Sequence, residues 1–351
     1  MSVPFELVDE EEMQAIEAAL RQASAFHRSR MLTAAARAQS SLVLVSASEI
    51  FSIVSDIEDS APLPAALRFP LKKSLCVTDM TALEWCEKQV EFSFLRGKPP
   101  KTSAMQAGSA RHVELESEVV KRVDVDIRTR EDFWAVRFIN YLVGTRQLLA
   151  EGLTRELPIV AFVEGNWWTG IIDELMLPEG SAGPRLIDTK TRLRQSLPSD
   201  AQKRNGRLQL MCYKRLWDTL CEQAIPLDEF FSNFELDPLQ ELSLSIRSHI
   251  VDIKLSSKVD CLKELLGVLQ ESCTVLPLAD QLLKLRYEWQ VDRSLIGEEE
   301  FMFDPDWLKQ RIQFHLQFWN GSRESHLVSQ SDEWKCRFCA FADRCKSENQ
   351  R

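Results

Sequence analysis

The sequence predicts an α/β domain, a mixed sheet flanked by helices, with helical additions at both ends. Three observations carry this. Residues 157–193 contain three short β-rich runs separated by turn signals. Helical patterns bracket them at 131–151 and at about 200–223. With 351 residues, 44% hydrophobic and 27% charged, the chain is long and apolar enough for a sizeable core.

Taken in order, residues 5–38 read as an acidic, then Ala- and Arg-rich, amphipathic helix. Residues 39–72 mix Ser, acidic residues and Pro and read as a loose connection, so residues 1–72 form an N-terminal helix plus linker and residues 73–351 the main domain. Next comes "SLCVTDMTALEWCEKQ", an apolar run leading into a helix with a capping box at Thr81 and Glu84. Helices are expected at 104–122 and 131–151. In the β-rich segment Gly165-Asn166 separates the first two runs, and a Gly/Pro-rich turn separates the next. The following helix starts near Pro198-Ser199-Asp200. One or two strands are expected at 227–254, from the partial alternation of "LSLSIRSHIVDIKL", and helices at 257–271, 276–286 and 305–320.

No run of about 18 apolar residues predicts a membrane span. The acidic start "MSVPFELVDEEEMQ" has no apolar signal core. The expected location is nuclear or cytosolic, with a mitochondrial placement left open. Nine cysteines in a reducing compartment point to metal ligands and buried thiols rather than disulfides. Net charge is −10, yet residues 185–215 carry nine basic against two acidic residues. Arg192, Arg194, Lys203, Arg204 and Arg207 in this stretch read as a phosphate track, against the plainer reading of a solvated helix face.

The chemistry is concentrated in "GIIDEL" (170–175) and "LIDTKTR" (186–192). Asp188 and Lys190 are two apart in a strand, so both project from one face. Asp173 lies on a neighbouring run. Two carboxylates can hold Mg²⁺ or Mn²⁺ through oxygen. The lysine can orient water and stabilise charge on a phosphorane-like transition state, and the Thr189 carbonyl is a further candidate ligand. His112 follows Gly108 by one helical turn, and Gln209 and Tyr213, at i and i+4, share a face. The tail "CRFCAFADRC" sets Cys336, Cys339 and Cys345 in a C-x2-C-x5-C pattern, one thiolate short of a usual site. Cys76, Cys86, Cys212, Cys221, Cys261 and Cys273 are candidates for the fourth, and zinc and iron–sulfur both remain open from spacing.

A helical His, then "GxxDE", then "(D/E)xK", then Q-x3-Y, with cysteines outside these motifs, resembles the iron–sulfur branch of RecB-like nucleases of the PD-(D/E)xK fold. "SLCVTDMTALEWCEKQ" and "IDTKTR" look most like the exonuclease V family, over roughly residues 74–346. The resemblance implies a single-stranded-DNA exonuclease that hydrolyses phosphodiesters from a free end, releases short oligonucleotides and serves DNA repair. Polarity is left open by the sequence. Carried over by position, it implies His112, Asp173, Asp188 and Thr189 as Mg²⁺ or Mn²⁺ ligands. Asp173, Asp188, Lys190, Gln209 and Tyr213 form the catalytic set. Asp188 departs from relatives that often carry Glu there, which bears on metal preference. The resemblance further implies a [4Fe–4S] cluster on Cys86, Cys336, Cys339 and Cys345, stapling the domain across 250 positions from Cys86 to Cys336. Trp167, Trp168 and Phe94 are candidates for stacking on bases, with hairpin packing as the alternative for the two Trp residues. The expected protein is a monomer, with the single-strand-binding replication protein as a partner on analogy. The competing readings are an inactive, metal-stapled binding module and an enzyme acting on RNA.

Overall fold

The computed structural model describes residues 43–44, 72–119, 121–122, 125–255 and 258–349. The expected helix at 5–38 lies outside them. From the expected loose connection, Val43–Leu44 forms a two-residue strand, β1. Chain order continues with β2 (Leu75–Cys76), α1 (Val77–Trp85), α2 (Glu87–Arg96), α3 (Ser103–Ser117), β3 (Lys121–Arg122) and α4 (Arg130–Glu151). Three long strands follow, β4 (Leu153–Val163), β5 (Asn166–Met176) and β6 (Arg185–Arg192). Helices α5 (Asp200–Glu222), α6 (Leu227–Phe234), α7 (Leu244–Asp252) and α8 (Leu262–Cys273) precede β7 (Leu282–Trp289) and β8 (Leu295–Met302). Helix α9 (Pro305–Trp319), a 3₁₀ segment (Gln330–Phe338) and α10 (Ala342–Asn349) complete the order. No helix among the described residues is long and apolar enough to cross a membrane.

The architecture is mixed α/β. Strands run β4-β5-β6-β7-β8 in space, and β2 joins as a sixth member at the start of β5. Pairing is antiparallel except for β2 with β5 and β6 with β7. A separate parallel pair joins β1 to β3, so part of the N-terminal connection has a partner on the main domain. Helices α4 and α5 both pack on β4, and α5 extends to β5, β6 and β7. Helix α3 crosses from β4 to β6. This matches the burial of β4, where Leu157–Ala161 is apolar and shielded from solvent throughout.

Helix ends follow local chemistry. Thr129 caps α4, accepting from the Asp132 amide at 3.0 Å, and Gly152 ends it in the left-handed region. Ser199 caps α5 where expected, with Gln202 reaching back to its amide.

Four expectations fail. Helix α1 begins at Val77, and its capping box is Cys76 with Asp79, whose carboxylate accepts from the Cys76 amide at 2.8 Å; Thr81 and Glu84 lie inside the helix. The β4–β5 turn is Glu164-Gly165, both with positive φ, because Asn166 already pairs with Val163. Within residues 227–254 the chain forms helices at Leu227–Phe234 and Leu244–Asp252, not strands, since Ile246, His249 and Ile250 bury at helical spacing. The helix expected at 276–286 gives way to strand β7, in which Leu283, Leu285 and Tyr287 alternate inward.

Candidate active site

Strand β5 gives one edge to β4, interrupted only at Asp173, but divides the other. It pairs with β2 at Trp168 and Thr169 and with β6 only from Glu174 onward. Residues 170–173 lie in the fork between these pairings. Asp173 stands one residue before the β6 ladder begins, and Asp188 one residue after its Ile187 partner. The two carboxylates therefore face each other across the point where β5 and β6 part.

Asp188 is 1% exposed, and its Oδ1 and the buried Oδ2 of Asp173 have no hydrogen-bond donor beside them. Lys190 Nζ pairs with Asp188 Oδ2 at 2.8 Å and donates to Gln209 Oε1 at 2.9 Å. Burial and repulsion from Asp188 push the Asp173 carboxyl well above the usual carboxylate range. Burial acts to raise Asp188 too, but the Lys190 ammonium, Asp173 and His112 together outweigh it and hold Asp188 low. Burial opposes the charge on Lys190, while Asp188 and Asp173 more than restore it. A buried carboxylate, Asp188, thus meets a second, partly buried one, Asp173, beside the half-exposed Lys190 ammonium, with carboxylate oxygens left over. An uncompensated buried carboxylate is unfavourable, so this donor set fits a divalent cation.

The helices supply the rest. Gly170 is required by Tyr213: a Cβ there would meet the ring at 2.5 Å. One turn earlier on α5, Gln209 fixes Lys190, so the Q-x3-Y spacing serves a hydrogen bond and a wedge. Gly108 brings α3 against Thr191, where a Cβ would lie 3.3 Å from Oγ1. Gln290 Nε2 bonds both Ala104 O and Thr191 Oγ1, tying α3 to β6 and to the chain just past β7. Arg155 donates to Leu115 O and to Glu174, tying α3 to β4 and β5. So held, His112 Nδ1 lies 3.8 Å from Asp173 Oδ2 and 3.2 Å from Glu156 Oε1. Glu156 belongs to no motif and is missed by sequence reading. Thr189 is buried between Asp188 and Lys190.

A family model described as "Exonuclease V - a 5' deoxyribonuclease" matches residues 62–183 and 182–347. Exonuclease V of Danio rerio is 32% identical over 281 residues, 78% of this chain and 70% of that protein. The chain belongs to the exonuclease V family. It is a deoxyribonuclease by that membership. The crystal structure of SSO0001 is similar with a TM-score of 0.37 at 12% identity, over 91% of this chain and 94% of that one.

In this exonuclease V chain the C-terminal tail packs beside Cys86. Cys86 caps α2, and burial raises its thiol, with Cys339, Cys336 and Cys345 close enough to add to the effect. The tail docks there through other contacts too. Trp85 meets Trp334 edge-on, Phe92 stacks on Phe341, and Lys335 Nζ donates to Trp85 O at 3.1 Å. Cys212, Cys261 and Cys273 are buried elsewhere, and Cys76 lies 3.4 Å from Thr169 Oγ1.

The stacking and charge expectations fare less well. Trp167 and Trp168 are 4% and 1% exposed; Trp167 packs on Phe162, Phe230 and Phe234, and Trp168 donates to Val163 O. They are core residues. Phe94 packs against Trp319 under Lys72. Of the basic track, Lys203 and Arg207 pair with Glu299, and Arg204 with Glu84 and Asp332. Arg192 donates to Ser196 O, and Arg194 is exposed.

Proposed function

We propose that this protein is a single-stranded-DNA exonuclease that hydrolyses phosphodiesters from a free end and releases short oligonucleotides in DNA repair. The observation that carries the reading is the fork of β5 and β6, where Asp188, paired with Lys190, and Asp173 bring together carboxylates that keep buried oxygens without a donor. In this reading the sheet is a PD-(D/E)xK core. Asp173 and Asp188, with His112 and the Thr189 carbonyl, hold Mg²⁺ or Mn²⁺. When bound, that cation polarises a phosphoryl oxygen and lowers the pKa of water. Lys190, kept charged by its neighbours and aimed by Gln209, orients the attacking water and stabilises charge on the phosphorane-like transition state. Tyr213, wedged on Gly170, keeps the Asp173 strand and the Gln209 helix in register.

Cys86, Cys336, Cys339 and Cys345 hold a [4Fe–4S] cluster with a structural role, closing the domain behind the site. The family resemblance supports this choice over zinc. It also supports single-stranded substrate, a nuclear or cytosolic monomer, and the single-strand-binding replication protein as partner. The family description supports attack from a 5′ end.

The test is digestion of end-labelled linear and circular single-stranded DNA with Mg²⁺, using anaerobically purified wild type beside Asp173→Ala. Wild type should shorten only the linear strand, while the variant binds without cutting. Binding without cleavage by both would sink the catalytic reading and favour a binding module. Equal cleavage of RNA would overturn the DNA specificity.

A further inference from the structure

Polar groups that the cation site does not use gather between α5 and the far end of β6. Asp188, Lys190 and Arg192 alternate along one face of β6. Helix α5 runs back over that face. Gln209 accepts from Lys190 at 2.9 Å, and Gln202 accepts from Arg192 at 3.4 Å. Asn205 lies between these contacts, three residues after Gln202 and four before Gln209, so it shares their helix face. Strand β7 flanks the same stretch in parallel register, with Tyr287 beside Lys190.

Three of these groups lack the partners their chemistry calls for. Asn205 Oδ1 is buried with no hydrogen-bond partner. Tyr287 is 3% exposed, and its Oη has none either. Burial first, then Glu299 and Asp188, raise the pKa of this phenol, so at neutral pH it keeps a proton to donate. Arg192 bonds two uncharged acceptors, Ser196 O and Gln202 Oε1, and no carboxylate among the described residues pairs with it. Glu299 is already matched by Arg207 and Lys203. Buried polar groups are normally satisfied. Folding alone does not call for these, since an apolar side chain of the same shape serves as well in the free protein.

A phosphodiester supplies what is missing. It is anionic, which suits an uncompensated guanidinium, and its two non-bridging oxygens accept hydrogen bonds. The phenol donates one, and rotation of the Asn205 amide places its donors where Oδ1 now lies. Lys190 and Arg192 stand about 6.6 Å apart along the strand, a step of the order of one nucleotide. A strand whose scissile phosphate meets Lys190 therefore brings a neighbouring phosphate to Arg192.

Resting on the active-site reading above, we propose that Arg192, Asn205 and Tyr287 form a phosphate subsite that holds the phosphodiester adjoining the scissile one. Its role is positioning. It sets the register of the strand over Lys190 and the carboxylates and takes no part in bond breaking.

The test uses anaerobically purified full-length protein, Mg²⁺ and single-stranded DNA carrying one uncharged methylphosphonate linkage at successive positions, with a 5′-hydroxyl or a 5′-phosphate. In wild type, neutralising a linkage should suppress cleavage at its neighbour by about tenfold. Arg192→Gln and Asn205→Ala should lose that suppression, because the contact is already gone, and should cut unmodified DNA with a raised KM. Arg192→Gln should also reduce the salt slope of DNA binding by about 1, and Asn205→Asp should bind more weakly than Asn205→Ala. Tyr287→Phe reads the same suppression if another variant fails to fold. Melting temperatures of the free Asn205→Ala and Tyr287→Phe proteins should equal or exceed that of wild type, whereas a purely structural role would lower them. Dependence on the 5′-phosphate alone, lost in the variants, overturns the internal assignment in favour of a terminal phosphate. Suppression of equal size in wild type and variants overturns the proposal and leaves the active-site reading standing. A wild type that cuts no DNA sinks both.

Discussion

Gly170→Ala tests whether the glycine of the "GIIDEL" run exists to admit Tyr213. The added Cβ would sit 2.5 Å from Cε1 and 3.3 Å from Cζ and Oη. Carbon atoms pack at about 3.5–4.0 Å, so the ring must retreat by about 1 Å. Tyr213 is 4% exposed and surrounded by core side chains, leaving it little room. Overpacking of this kind costs about 1–3 kcal/mol. At about 2–4 °C per kcal/mol for a domain of this size, the melting temperature should fall by about 2–12 °C. The same movement disturbs Gln209, one turn away, and with it Lys190. A displacement of about 1 Å at such a group lowers activity by about 100-fold. Calorimetry gives the first effect and single-turnover cleavage of labelled DNA the second. Pairing the change with Tyr213→Ala, which removes the ring, should give a loss smaller than the sum of the two singles. A Gly170→Ala protein with the wild-type melting temperature and rate would refute the wedge.

Burial acts to raise the Glu84 carboxyl, but His315 and Arg311 outweigh it and hold it at about 2 against an ordinary 4.5. A depressed carboxylate stabilises the fold above its unfolded pKa and loses that stabilisation as pH falls through its folded one. Glu84→Gln should therefore cost about 3 kcal/mol in guanidinium unfolding at neutral pH, with the deficit vanishing towards pH 2. A deficit independent of pH would mean the residue acts by shape alone. Cys86→Ser should abolish visible absorbance and remove about 5 kcal/mol of cross-link stabilisation across its long loop; retained colour and stability would exclude Cys86 as the fourth ligand. Trp167→Ala should destabilise by about 3–5 kcal/mol and leave affinity for single-stranded DNA unchanged. Lost affinity at unchanged stability would return Trp167 to the binding surface.

Much of the site is legible because its spacings are local. Asp188 and Lys190 share a face through the two-residue period of a strand, and Gln209 and Tyr213 through the turn of a helix. Those periods hold in β6 and α5. Local signals also mislead where two periods fit. Leu282–Trp289 is Leu-rich and reads as helix, yet β6 recruits it as a parallel neighbour. The 185–215 charge run is real in composition, but Glu84, Glu299 and Asp332, from distant elements, neutralise three of its members.

The sequence by itself determined the residue types of the site, the strands and helices that carry them, and the cysteines at either end of the domain. Only the tertiary structure decided that β5 forks at Asp173, that Cys86 meets the tail, that Trp167 and Trp168 are core, and that Glu156 faces His112 and Asp173. The division has one physical reason. Periodicity belongs to a few consecutive residues, whereas strand register and helix docking are set by contacts between residues far apart in the chain.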